Sequence, residues 1–203
     1  MALRPARRPS ISKSDAVISQ LEAAVLLLLR GFDPIPVHTL VWASRTVLND
    51  LNKIETIPIL DMLDDAVLRR VEPGFVGEWK RHQNRAANFF KHADRDPDET
   101  LEGVNLDALN SIELLICILA TQQLAGEIPR TLACGLTYLG HRSGRWFDFR
   151  GYCEDVLGGT EHYDSFRRWR PEKQREIALG AFERAYMEQN WSGLRVPTTN
   201  PVK

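Results

Sequence analysis

The chain lacks the compositional features that assign a sequence to a functional class at once. Its 203 residues carry a formal net charge of only −1, so no overall electrostatic attraction draws it toward nucleic acid or an anionic membrane. It has only three cysteines, far apart and without a Cys-x-x-Cys pair, namely Cys117, Cys134 and Cys153. This pattern is typical of buried, unreactive thiols in a reducing compartment, so we expect a cytoplasmic protein without disulfides.

Long apolar runs are also missing. The longest uninterrupted one, Ala23 to Leu29, is far shorter than the roughly 20 residues that cross a bilayer. The run from Ile112 to Ala120 is short as well and contains Glu113. We therefore expect no membrane-spanning helix and no membrane partner. The basic, proline-containing stretch 1–13 is predicted to be a flexible N-terminal tail rather than a targeting peptide.

Sequence motifs for the common catalytic and metal sites are absent too. The chain has no Gly-x-Ser-x-Gly elbow, no glycine-rich phosphate loop and no Glu-x-x-His pair. The acidic run from Asp94 to Glu99 has side chains of the kind that bind calcium. However, an EF-hand loop beginning at Asp94 needs glycine and glutamate at the positions that Glu99 and Asn105 occupy. We therefore predict no metal ion and no cofactor.

Helical periodicity is what the sequence does contain. Apolar residues recur at intervals of three and four, whereas the alternation typical of strands is absent. This predicts an all-α protein with one domain over 14–190, a bundle of about six to seven helices with an irregular, aromatic-rich C-terminal part, and a tail at 191–203. The predicted helices run from Ser14 or Asp15 to Gly31, Val37 to Leu51, Pro58 to Arg70, Val76 to Ala93, Leu106 to Ala125, Pro129 to Leu139, and Pro171 to Asn190.

The first two predicted helices have the clearest end signals. Ser14 or Asp15 is expected to cap the first helix, and Gly31 to end it. Asp33 is expected to cap the second, and the short turn between them predicts an antiparallel hairpin. The fifth helix is apolar almost all round, which predicts that it lies at the centre of the bundle. The buried face of the first helix is expected to hold Ile18, Leu21, Val25 and Leu28.

The fourth helix carries the one surface on which spacing alone brings several chemically capable side chains together. Arg85 and His92 are seven residues apart, and two helical turns take about 7.2 residues, so the two side chains share a stripe. Asn88 lies between them, Arg81 extends the stripe by a turn, and Lys91 lies beside it. Metal-independent RNA cleavage needs such an imidazole and such a cation. A solvated helix face has the same pattern.

His38 lies among apolar residues of the second predicted helix. A core histidine with a hydrogen-bond partner is the expected state, because buried polar groups are usually satisfied in this way. If the second and fourth helices pack together, His38 also approaches His92. We therefore retain His38 as a candidate binding residue.

Two segments of the chain resemble a family of bacterial proteins of uncharacterised activity that shares both. They are Gly31 to Leu40, GFDPIPVHTL, and Asn88 to Pro97, NFFKHADRDP. More broadly, the chain resembles the HEPN superfamily of small α-bundles, many of which are RNases with an Arg-x(4–6)-His motif on a helix. Arg85 and His92 match the outer limit of that spacing, although Ala86 stands where the superfamily commonly has a polar residue.

Two functional hypotheses follow. The favoured one is a non-enzymatic interaction or binding module whose stripe and acidic loop contact a protein partner, because one Arg/His pair and a near-zero net charge offer little for catalysis. The alternative, implied by the HEPN resemblance, is a metal-independent RNase or nucleotide-binding protein. In that case Arg85 and His92 act at the interface of a homodimer, and RNA or a nucleotide is the partner.

Overall fold

The computed structural model describes residues 10–53, 59–69, 76–90, 98, 100–142, 165–166 and 168–191. Within these ranges the chain forms seven helices and no strand, which confirms the all-α class and the helical bundle. The helices are α1 (Lys13–Arg30), α2 (Pro34–Asn52), α3 (Ile59–Leu68), α4 (Val76–Phe89), α5 (Leu106–Ala125), α6 (Arg130–Arg142) and α7 (Pro171–Trp191).

Several predictions concern parts of the chain outside the described residues. They include the candidate catalytic residue His92, the candidate binding residue Lys91 and nearly all of the acidic run that follows them. The aromatic-rich segment 143–164, with Cys153, and the outer parts of both tails also lie outside the described residues.

The start of α1 corrects the predicted cap. Ser12, not Ser14 or Asp15, is the N-cap, and both predicted residues lie inside the helix. The Ser12 hydroxyl accepts a hydrogen bond from the Asp15 backbone N–H at 3.0 Å, and the Asp15 carboxylate accepts one from the Ser12 backbone N–H at 3.2 Å. This reciprocal capping box satisfies two backbone donors at once, which favours Ser12 over a cap two or three residues later.

The end of α1 is as predicted. Gly31 has a left-handed φ of 67°, and its N–H donates to the Leu28 carbonyl while the N–H of Phe32 donates to the Leu27 carbonyl. Such a turn closes a helix with little strain only at glycine. Two residues later, the Asp33 side chain accepts from the Ile35 N–H at 2.8 Å and caps α2, which confirms the second predicted cap.

The buried face of α1 is broader than the predicted one. Leu21 and Val25 are fully buried, as expected, but Ile18 and Leu28 are only half-buried. The reason is that α1 contacts α2, α5, α6 and α7, so more than one stripe is covered. The remaining buried apolar residues of α1 are Val17, Ala24 and Leu29.

The centre of the bundle is α5, as predicted from its apolar sequence. Its bounds match the predicted ones, and it packs against α1, α2, α3 and α6. Around it, α1 and α2 form the predicted hairpin, and α7 packs against α6 and α1. The α1–α6 contact is very close: a Cβ added at Gly135 would stand 2.6 Å from a methyl carbon of Val25.

By length and composition, α5 is also the one helix among the described residues that could cross a membrane. The run Ile112 to Ala120, which contains Glu113, is too short to span a bilayer, whereas the whole of α5 is long and apolar enough. In the structure, 56% of its most apolar window is buried inside the bundle. The central helix of a helical bundle has this same composition, because it is covered on most sides.

Candidate functional site

The described part of the predicted stripe on α4 is exposed, and Arg85 at its centre is hydrogen-bonded to the main chain. Arg81, Arg85 and Asn88 all lie on the exposed face of the helix, opposite the buried Ala86. The Arg85 guanidinium donates through Nη1 to the Glu102 carbonyl at 3.1 Å and through Nη2 to the Thr100 carbonyl at 3.0 Å. Arg85 therefore holds the segment that leads into α5 against α4.

His38, the other candidate binding residue, lies inside the bundle and is 1% exposed. Its Nδ1 is 2.8 Å from Oδ1 of Asn110, whose amide nitrogen donates to the Pro34 carbonyl at 2.8 Å. Since that amide nitrogen is engaged, Asn110 presents its oxygen to the imidazole, and Nδ1 of His38 carries the donated proton. The expectation of a hydrogen-bonded core histidine is confirmed.

His38 is also the point at which the two distinctive sequence segments meet. Its ring centroid is 5.1 Å from that of Phe90, just beyond α4, and 5.8 Å from that of Trp42. Phe90 in turn packs edge-on against Phe89, with centroids 5.1 Å apart. The segments beginning at Gly31 and Asn88 are thus in direct contact through the rings of His38 and Phe90. His92, which His38 was expected to approach if the second and fourth helices pack together, lies outside the described residues.

Seven residues beyond His38 on α2, a buried charge cluster joins four helices. Arg45 of α2 donates through Nη1 to Oε2 of Glu113 on α5 at 2.6 Å, and through Nη2 to Asp64 of α3. The other oxygen of Glu113 accepts from the side-chain amide of Gln83 on α4. The Glu113 side chain is 0% exposed and the Arg45 side chain 9%. The Arg45 guanidinium also lies 5.7 Å from the centroid of Trp42.

The electrostatics of this charge cluster favour a permanently charged arginine. Burial opposes the charge of Arg45, but the Glu113 and Asp64 carboxylates outweigh it and raise the pKa of the guanidinium. Burial raises the pKa of the Glu113 carboxyl, against the stabilising effect of Arg45 and Gln83. Burial likewise raises the pKa of Asp64. Arg45 and Glu113 are enclosed by protein, whereas the Asp64 side chain is 32% exposed, so the inner pair of the charge cluster ties the helices together.

Sequence reasoning missed this cluster, although one signal was present. Glu113 stands alone within the most apolar helix, and a carboxylate in such a place needs a buried cation or donors. The partner was not identifiable, because Arg45 is 68 residues away in the sequence.

The described cysteines are both free and buried, as predicted. Burial raises the pKa of the Cys117 thiol, and the nearby Glu113 carboxylate adds to the effect. Burial also raises the pKa of Cys134, to about 11. Since the thiolate is the reactive form, neither cysteine has nucleophilic character at neutral pH.

A pocket of about 460 Å³ opens at the end of the bundle where α1 turns into α2. Val37, Asn110 and Tyr138 contribute to its lining and are almost fully buried. Phe32, which also lines it, is 57% exposed. The segment Gly31 to Val37 thus forms one side, and Asn110 connects the pocket to His38 behind it.

Charged residues of both signs line this pocket: Asp33, Asp107 and Arg175. The guanidinium of Arg175, on α7, lies against Gly31, because a Cβ at that position would stand only 2.7 Å from Nη1. Glycine is favoured at position 31 by its left-handed φ, and a larger residue there would also displace the Arg175 guanidinium. Among the described residues, no ion pair joins Arg175 to either carboxylate.

Sequence reasoning did not identify the pocket residues on α5 and α7. The unusual turn GFDPIP marked one wall, but nothing in the sequence indicates that Asp107 and Arg175 face it. Within the described ranges, no group of three or more His, Cys, Asp and Glu side chains is arranged to hold a metal ion.

Comparison with known proteins yields no relative: the chain matches no protein-family model, no curated protein and no solved structure.

Proposed function

We propose that the protein is a non-enzymatic helical binding module whose ligand site is the pocket beside the α1–α2 turn. One observation carries the proposal: a pocket of about 460 Å³ combines a buried floor with charged residues that are not paired with one another in the described structure. Small-molecule sites typically span about 300–1,000 Å³ and have this mixture of apolar surface and few polar groups.

The chemistry of the lining supports binding rather than catalysis. No histidine, cysteine or lysine is among the described lining residues. The Ser111 hydroxyl donates to the Asp107 carbonyl at 2.7 Å, so it has no adjacent base to activate it. Both ends of the Asn110 amide are engaged inside the protein. The pocket thus offers groups that position a ligand and none poised to react with it.

The test is a thermal-shift screen of small polar metabolites, with binding followed by backbone NMR. Ser111→Leu narrows the pocket, while Gln123→Leu makes the same kind of change at an exposed position further along α5. We expect a ligand that shifts amide signals of residues 31–37 and stabilises the parent and Gln123→Leu, but not Ser111→Leu. The proposal fails if no ligand is found, or if every ligand found binds Ser111→Leu as well as the parent.

A metal-independent RNase of the HEPN type is the second candidate. The observation in its favour is that Arg81, Arg85 and Asn88 share one exposed face, with Arg85 held rigidly by two main-chain carbonyls. A positioned cation is what phosphoryl-transfer chemistry uses, provided that His92 joins it across a homodimer interface.

Incubation of purified protein with mixed RNA, without added metal, tests this candidate. If it is correct, Arg85→Ala and His92→Ala both abolish cleavage. Arg130→Ala, which removes an exposed arginine of α6, leaves cleavage unchanged. The absence of cleavage by the parent protein on several RNAs would eliminate the candidate.

A further inference from the structure

The charged residues of the pocket beside the α1–α2 turn differ from the other charges around α7. Elsewhere that helix is tied to its neighbours by ion pairs, Arg30 with Glu183 at 3.0 Å and Arg130 with Glu188 at 3.5 Å. Arg175, on the same helix, forms no ion pair with another described residue. Its guanidinium is instead placed at the lip of the pocket, against Gly31.

The neutral polar groups of the pocket are mostly used within the fold. The amide of Asn110 bonds to His38 and to the Pro34 carbonyl, and the Ser111 hydroxyl donates to a main-chain carbonyl. The hydrogen-bond donors and acceptors that remain for a ligand therefore belong to the charged residues. Arg175 offers guanidinium donors, while Asp33 and Asp107 offer carboxylate oxygens, and among the described residues the one hydrogen bond to these oxygens comes from the Ile35 N–H.

The rest of the lining is apolar or aromatic. Leu28, Val37 and the ring of Tyr138 contribute hydrocarbon surface, and the exposed Phe32 adds an aromatic side chain at the opening. A ligand that fills this space needs a hydrocarbon part, since covering such surface is favourable. No ion pair among the described residues joins the guanidinium to either carboxylate, and the two kinds of group have opposite charge, so one charged ligand group cannot pair with both.

We propose that the ligand is a small zwitterion, with a carboxylate that pairs with Arg175 and an ammonium group that pairs with Asp107 and Asp33 across a hydrocarbon chain. This inference rests on the proposed binding function. An arginine binds a carboxylate through two parallel hydrogen bonds, and an ammonium group donates to carboxylate oxygens. A zwitterion satisfies both sets of charged groups without adding net charge to the site.

Three probes with the same chain separate the contributions of the two charges. ε-Aminohexanoate carries both charged groups, hexylamine only the cation and hexanoate only the anion. By isothermal titration at low ionic strength, we expect ε-aminohexanoate to bind about tenfold more tightly than either single-charge probe, or better. Equal affinity for hexylamine would indicate a cation site, and equal affinity for hexanoate an anion site; either result overturns the proposal.

Two pocket variants assign each end of the ligand. Arg175→Met should weaken ε-aminohexanoate binding to the level of hexylamine, and Asp107→Asn, which leaves Asp33 in place, should weaken it part of the way toward the level of hexanoate. Lys173→Met removes an exposed cation elsewhere on α7, and Asp61→Asn removes a first-turn acid of α3, just as Asp107→Asn does in α5. Neither control should change the affinity. Loss of binding in a control to the same extent as in its pocket variant overturns the assignment.

The outcomes distinguish this inference from the proposed function. If none of the three probes binds, but another screened ligand still loses binding in Ser111→Leu, the zwitterion assignment is wrong and the binding module remains. If no screened ligand is sensitive to Ser111→Leu, the binding function itself is wrong.

Discussion

The exposed face of α4 and the polar groups between α2 and α5 are built in different ways. On α4, Arg81, Arg85 and Asn88 belong to one helix, and their alignment follows from helical spacing alone. The charge cluster around Glu113 instead draws on four helices, and its central pair, Arg45 and Glu113, is buried. The difference shows that a polar stripe visible in sequence marks a surface, whereas the most constrained polar groups come from distant segments that the fold brings together.

The largest expected effect lies in the buried charge cluster. Glu113→Ala leaves Arg45 with only Asp64 as a charged partner and should lower the free energy of unfolding by about 3–5 kcal/mol. The double variant Arg45→Met/Glu113→Leu removes both charges. Its loss in free energy of unfolding should be much smaller than the sum of the losses in the two single variants. Urea denaturation measures all three. If Glu113→Ala costs no more than Arg85→Ala on the surface, the contrast between the two regions is wrong.

A pair of glycine substitutions compares the pocket with α4. Gly31→Ala places a methyl group at a left-handed φ and against Arg175, so it should destabilise the protein by about 1–2 kcal/mol. Gly77→Ala, in α4, meets no atom within 4 Å and should be neutral, or stabilising by up to about 1 kcal/mol. Thermal and urea unfolding test both changes. An unchanged stability of Gly31→Ala would contradict the left-handed φ at this position.

The pH dependence of stability should also separate buried from exposed carboxyls. Burial raises the pKa of Glu113, so the folded state binds its proton more tightly than the unfolded state does. Stability should therefore fall as pH rises from the ordinary glutamate range through the raised native pKa, by about 1.4 kcal/mol per unit of pKa difference. Urea denaturation of the parent and of Glu113→Gln across this range should show a larger fall in the parent, because Asp64, whose pKa burial also raises, remains in both proteins.

Asp50 is a control for which the expected change of stability with pH has the opposite sign. A hydrogen bond from Lys53 lowers the pKa of this exposed carboxyl, so its contribution to stability is present at neutral pH and is lost on acidification. The free energy of unfolding that the parent has in excess of Asp50→Asn should thus grow as pH rises and shrink with added salt. The same pH trend for Asp50→Asn and Glu113→Gln would contradict the assignment of buried and exposed carboxyls.

The smallest effects are expected on the exposed face of α4. Arg85→Ala loses two hydrogen bonds to main-chain carbonyls and should cost roughly 1 kcal/mol, with faster amide hydrogen exchange in the segment leading into α5. Arg81→Ala removes an exposed side chain on the same face and should change stability by less than about 0.5 kcal/mol. Indistinguishable exchange rates in the two variants would show that Arg85 does not hold that segment.

Features that depend on a few neighbouring residues were predicted well from the sequence. Local periodicity and end signals predict the bounds of α5, the end of α1 at Gly31 and the cap at Asp33. They also predict the shared exposed face of Arg81, Arg85 and Asn88. The predicted cap of α1 was wrong because several adjacent residues can cap a helix. The choice of Ser12 depends on its reciprocal hydrogen bonds with Asp15. The role of Arg85 was not predicted, because its acceptors are carbonyls fifteen and seventeen residues away.

The amino-acid sequence alone decided which segments are helical and which of them is apolar enough to lie at the centre, because backbone geometry and side-chain period act over a few residues. The tertiary structure decided which polar groups meet. The pairing of Arg45 with Glu113, of His38 with Asn110, and the gathering of the pocket around Gly31 depend on how each helix is rotated against its neighbours. That rotation is set by side-chain packing across the whole bundle, which no local pattern records.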